Sequence, residues 1–145
     1  MKQILNMTVN GHAVTVETEP NRTLLEVLRE DLGLVGVREG CSTGDCGACT
    51  VQMNGRAVVS CLILAPDADG ASVTTIEGLA KDGKLDPMQE AFIAKGAIQC
   101  GFCTPGMIMA AKSAEVLEGN LCRCTGYTKI QEAIREYRRT TNPQA

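Results

Sequence analysis

Apolar residues in this chain keep two different periods. Through about residue 76 they alternate with polar ones or fall in short runs between turn signals, a strand pattern; beyond residue 86 they recur about every 3.6 residues, a helix pattern. Strand formers fill residues 2–9, Asn10-Gly11 is a two-residue hairpin signal, and 14–17 is the returning strand. Thr23 and Glu26 form a T-x-x-E capping box opening a helix whose apolar face is Leu24, Leu25, Val27, Leu28 and Leu32. Asn54-Gly55 marks a second hairpin between 49–53 and 56–59, and 72–76 is a last strand.

Residues 66–85 are polar and turn-rich, which sets a domain boundary between Gly78 and Lys84 and divides the chain into 1–79 and 80–145. In the second part Asp86 is an N-cap, with Pro87 at the first helical position and Gln89 at the third. Thr104-Pro105 repeats that start signal, and Met107, Ile108, Ala110 and Ala111 continue the helix. Thr128 and Gln131 form a T-x-x-Q box before the stripe Ile130, Ala133, Ile134, Tyr137 of a final helix.

Composition adds one constraint. The 145 residues include 15 glycines but two tyrosines, two phenylalanines and no tryptophan. Two domains with cores this poor in aromatics need a staple such as metal or disulfides. A net charge of −3 gives no basic footprint for nucleic acid, and no apolar run is long enough to span a membrane. The opening MKQILNMTVNG has no apolar signal-peptide core, so the expectation is a soluble, cytoplasmic chain.

The staple is visible in the eight cysteines. Cys41, Cys46, Cys49 and Cys61 read C-x4-C-x2-C and a fourth cysteine, the plant-type ferredoxin spacing for a 2Fe-2S cluster with four thiolate ligands. Gly40, Gly44 and Gly47 are interleaved with them and allow backbone amides to close on sulfur with positive φ. With this loop, the strand and helix order fits a β-grasp sheet. Cys100, Cys103, Cys122 and Cys124 read C-x2-C and C-x-C, which either a second iron–sulfur cluster or structural zinc would use. Disulfides are disfavoured in a reducing compartment. Two one-electron centres in one chain point to electron relay. The expected fold is therefore α+β: an N-terminal β-grasp plant-type 2Fe-2S ferredoxin domain, then an all-α helical bundle around the second cysteine set, a helical-bundle 2Fe-2S domain if that set holds iron.

Three stretches resemble a known family: GCSTGDCGACTVQMNG at 40–55, QCGFCTPGMIMAA at 99–111 and EGNLCRCTGYTKIQEAI at 118–134. They are similar to the small iron–sulfur subunit of molybdenum hydroxylases, the xanthine oxidase family. The resemblance implies a second 2Fe-2S cluster and a non-catalytic electron-transfer role. A large partner subunit would hold a molybdopterin-type molybdenum cofactor, and a medium subunit would hold FAD, in a heterotrimer or a dimer of heterotrimers. Electrons would pass from molybdenum to the C-terminal cluster, then to the N-terminal cluster, then to the flavin. It also implies that Gln99 and Cys124 lie against the pterin; by its position alone Gln99 reads as a polar residue at a helix end. The family separates its last two cysteine pairs by a longer helical hairpin. Here only 18 residues lie between Cys103 and Cys122, room for about two helical turns out and two back with a bend at 112–114, unless a loop has been lost.

The remaining features carry less. His12 is alone, and a Rieske centre needs two histidines. Lys129, Arg135, Arg138 and Arg139 make the last helix basic, a solvated face or a dock for an acidic partner. Arg123, between two cysteines, could raise a cluster's potential. Met107 and Met109 read as packing. No dinucleotide fingerprint, P-loop or nucleophile with a paired histidine is present, so no substrate site is expected on this chain. The competing functions are a free-standing two-cluster carrier and a zinc-stabilised interaction module.

Overall fold

The computed structural model describes residues 1–113 and 117–142. Strands β1 (Gln3–Val9), β2 (His12–Thr18), β3 (Thr50–Met53), β4 (Arg56–Val59) and β5 (Ser72–Thr74) form one mixed sheet in the order β2-β1-β5-β3-β4. Both Asn-Gly hairpins form. Their turn residues all lie at positive φ (Asn10 51°, Gly11 82°, Asn54 50°, Gly55 80°), the geometry that lets strands continue their twist through a two-residue loop. β1 and β5 run parallel with Val9 opposite Val73, and β5 pairs antiparallel with β3.

The Thr23–Glu26 capping box is present, with the Glu26 N–H donating to Thr23 Oγ1 at 3.2 Å and the Thr23 N–H to Glu26 Oε2 at 2.6 Å. The helix it starts is regular only as α1 (Leu24–Glu26) and then widens into a π turn, Val27–Asp31. Leu24, Leu25, Val27 and Leu28 from this segment fill one core with Leu5, Met7, Val51 and Val73 of the sheet.

A second core belongs to the helices α2 (Pro87–Ala94), α3 (Thr104–Ser113) and α4 (Thr128–Thr141). Met88, Phe92, Met107, Met109, Ile130 and Ala133 are its buried centre, so the two methionines are packing residues. Asp86 caps α2 as expected, with Gln89 completing the box. α2 packs chiefly on α4, while α3 lies against β3 and β4 and so couples the two cores.

Three expectations differ from the structure. α3 begins at Thr104 itself, one residue early for a threonine cap. The Thr128–Gln131 box does not form: the residue before α4 is Tyr127, held at φ 67°, and it makes no side-chain cap. No helix brings the chain back between Cys103 and Cys122 among the described residues. Lys112 and Ser113 of the expected bend are the last residues of α3, Ala114 lies outside the described residues, and 117–122 is irregular.

His12 and Arg123 are exposed. On α4, Arg139 pairs with Glu136, which Lys95, just after α2, also approaches at 3.9 Å. No helix among the described residues is long and apolar enough to cross a membrane.

Candidate metal centres

The hairpin of β3 and β4 does the first piece of assembly. Its register sets Thr50 opposite Val59, which brings Cys49, just before β3, to the same end as Cys61, just after β4. The Ser60 hydroxyl donates to the Cys49 carbonyl at 2.7 Å and locks that end. The loop before β3 carries the other two thiols. Ser42, Gly44 and Gly47 take positive φ there, so two of the three interleaved glycines serve conformation. Gly40 instead supplies room: a Cβ at 40 would lie 2.8 Å from Cys46 Sγ. The N–H groups of Thr43 and Cys46 each donate to Cys41 Sγ at 3.4 Å, and Ala48 N–H donates to Cys46 Sγ at 3.5 Å. Amides aimed at sulfur in this way stabilise negative charge on it.

The second set is drawn from two segments. The loop between α2 and α3 brings Cys100 and Cys103, and the irregular stretch before α4 brings Cys122 and Cys124. Phe102 N–H donates to Cys100 Sγ at 3.5 Å; Thr125 donates to Cys122 Sγ from its N–H at 3.4 Å and from its hydroxyl at 3.1 Å.

Within each set the thiols act on one another. Cys41 acts on Cys46, and both Cys49 and Cys41 act on Cys61; Cys122 and Cys100 act on Cys103, and Cys100 and Cys122 on Cys124. A 2Fe-2S cluster takes four thiolate ligands, and four cysteines in each set fit that demand. The electrostatics agree. Hydrogen bonds from Thr43, side chain first and then N–H, together with the Cys46 N–H, pull the half-buried Cys41 thiol down to about 6. Burial, with Cys49 beside it, pushes Cys61 up to about 11; burial and Cys122 push Cys103 up to about 11. Crowded buried thiols resist ionising next to one another, and bound iron reverses that by deprotonating its ligands.

The two centres are joined at close quarters. Leu121 N–H donates to the Cys46 carbonyl at 2.9 Å, and Asn120, which is buried, donates from Nδ2 to the Gly47 carbonyl at 3.0 Å. The Arg38 guanidinium lies 5.4 Å from the centroid of the Phe102 ring, linking the two thiol loops from another side. Cys49 and Cys61 are buried at 3% and 8% exposure, whereas Cys100, Cys124 and the neighbouring Gln99 are exposed. Sequence reasoning missed Asn120 and Thr125. Only their closeness to cysteines in NLCRCT marked them.

Two family models match, the 2Fe-2S iron–sulfur cluster binding domain over residues 7–76 and the [2Fe-2S] binding domain over 75–115. The chain is 49% identical to the nicotinate dehydrogenase small FeS subunit of Eubacterium barkeri, covering 92% of this chain and 94% of that protein. It is 45% identical to the xanthine dehydrogenase iron-sulfur-binding subunit of Escherichia coli O157:H7, over 94% of each. Among solved structures, a chain of quinoline 2-oxidoreductase from Pseudomonas putida 86 superposes with a TM-score of 0.88 at 39% identity, covering 95% of this chain and 97% of that one. Aldehyde oxidoreductase from Desulfovibrio gigas superposes with a TM-score of 0.90 at 36% identity, covering 99% of this chain but 18% of that longer one. With two cluster-binding domains and relatives that match it nearly end to end, the chain belongs to the family of small iron–sulfur subunits of the molybdenum hydroxylases, as a non-catalytic electron-transfer subunit.

Proposed function

We propose that Cys41, Cys46, Cys49 and Cys61 ligate one 2Fe-2S cluster and that Cys100, Cys103, Cys122 and Cys124 ligate the other. The observation that carries this is the gathering of each set with donors aimed at its sulfurs: the β3–β4 register brings Cys49 and Cys61 to one end, and backbone N–H groups donate to Cys41, Cys46, Cys100 and Cys122. Each bound cluster would supply a one-electron redox couple; the chain's own part is to hold it, shield it and set its potential. The N-terminal unit, 1–79, is read as a β-grasp ferredoxin module and 80–145 as a helical cluster-binding module.

A large subunit with a molybdopterin-type molybdenum cofactor is the electron donor in this reading. The exposed edge formed by Gln99, Cys100 and Cys124 supports entry there, with Gln99 and Cys124 facing the pterin. Electrons then leave from the N-terminal cluster to FAD on a medium subunit, in a heterotrimer or a dimer of heterotrimers working in the cytoplasm. The names of the nicotinate and xanthine dehydrogenase relatives support a multi-subunit enzyme.

Elemental analysis of the complex from its native source is the test. Iron filling both sites, accompanied by molybdenum, is the expected result. Iron without molybdenum would favour a free carrier, and zinc in place of iron would overturn the ligand assignment. Cys124→Ser should abolish the C-terminal cluster's native EPR signal and spare the other.

A further inference from the structure

Cys122 stands inside a closed circuit of hydrogen bonds. Thr125 Oγ1 donates to Cys122 Sγ at 3.1 Å. The Tyr127 N–H donates to that same Oγ1 at 3.2 Å, and the Cys122 N–H donates to Tyr127 OH at 2.7 Å. A threonine hydroxyl has one proton. Its oxygen already accepts from Tyr127, and the sulfur is the acceptor in reach, so the proton is aimed at sulfur. The circuit depends on backbone conformation. Tyr127 is at φ 67°, in the left-handed region that a non-glycine residue occupies at a cost, and in that conformation its N–H meets Thr125 Oγ1.

We propose that Thr125 is the positioning residue that sets the reduction potential of the C-terminal cluster, its hydroxyl donating to the Cys122 sulfur and Tyr127 holding that hydroxyl in line. This rests on the reading that Cys122 is a ligand. Reduction adds one electron to the cluster and increases negative charge on its sulfurs. A donor to sulfur therefore stabilises the reduced form more than the oxidised form and raises the potential. Thr125 donates from both its N–H and its hydroxyl, so replacing the hydroxyl alone separates the two contributions.

EPR-monitored redox titration of the whole complex tests this. Thr125→Val keeps the shape and the backbone N–H. It should lower the midpoint potential of the C-terminal cluster, leave that of the N-terminal cluster unmoved and retain the full iron content. Thr125→Ser should restore the native value. Equal potentials in native and Thr125→Val complexes, with iron retained, would overturn the proposal. Should Thr125→Val fail to assemble, the native complex still decides: after exchange into D2O, the reduced C-terminal cluster should show a hydroxyl deuteron by hyperfine spectroscopy. Absence of that deuteron would overturn the proposal equally. Failure of the ligand reading looks different, because Cys122→Ser would then leave both EPR signals intact.

Discussion

Gly106, in the first turn of α3, lies against the carbonyl of Gly47 in the first thiol loop: a Cβ at 106 would stand 2.3 Å from that oxygen. Both atoms belong to fixed backbone, so neither can swing aside. Gly106→Ala should therefore separate helix and loop at a cost of about 1–3 kcal/mol, more than the ~1 kcal/mol that alanine contributes to a helix. Urea unfolding and iron content check it, and the N-terminal EPR signal should be lost first. Gly126→Ala is the control, since a Cβ there meets nothing within 4 Å.

Glu26 gives a pH dependence. Hydrogen bonds from Thr23, first from its N–H and then from its hydroxyl, hold the Glu26 carboxyl below the usual glutamate range. A carboxyl lowered by folding stabilises the fold above its unfolded value, and that contribution disappears as pH falls through the folded value. The stability difference between native protein and Glu26→Gln should be constant at neutral pH and vanish in acid, as read by denaturant unfolding across pH. Thr23→Ala should cost about 1 kcal/mol.

Lys112 ties three helices. Its Nζ lies 2.7 Å from Asp86 Oδ2, the cap of α2, and 5.3 Å from the centroid of the Tyr137 ring on α4. Both members of the ion pair are largely covered, with side-chain exposures of 19% and 15%. Lys112→Met should cost about 1.5–3 kcal/mol, because it strands the carboxylate. Asp86→Asn should cost less than Asp86→Ala, since an amide oxygen still accepts from Met88 N–H; chemical denaturation of the three variants ranks them.

Arg38 and Phe102 form a half-exposed cation–π contact. Arg38→Gln should lower stability by only about 0.5–1 kcal/mol, with Arg38→Lys intermediate and full iron retained in both. Thermal unfolding and iron analysis read the two effects separately.

Local chemistry was legible in the sequence. Asn10-Gly11, Asn54-Gly55 and the boxes at Thr23–Glu26 and Asp86–Gln89 are each decided by residues within a few positions, and each formed. The cysteine spacings were legible for the same reason. The box at Thr128–Gln131 was not, because the backbone at Tyr127 is committed to the Cys122 circuit and starts the helix uncapped. Nor could periodicity reveal the widened turn at Val27–Asp31, whose apolar residues still face the sheet. The contacts of Asn120 and Gly106 with Gly47 join positions about 60 to 70 apart, and such long-range contacts leave no local pattern.

The closure of the first loop by Gly106 and residues 119–121 also bears on biosynthesis. A ribosome that has delivered residues 1–79 has already made all four thiols of the N-terminal set, yet none of the chain that later covers Gly47. The loop written first is thus the one buttressed last. Its inner end, at Gly47, is bare until Asn120 has been made, while Cys41 and Cys46 stay partly exposed even with the helices docked.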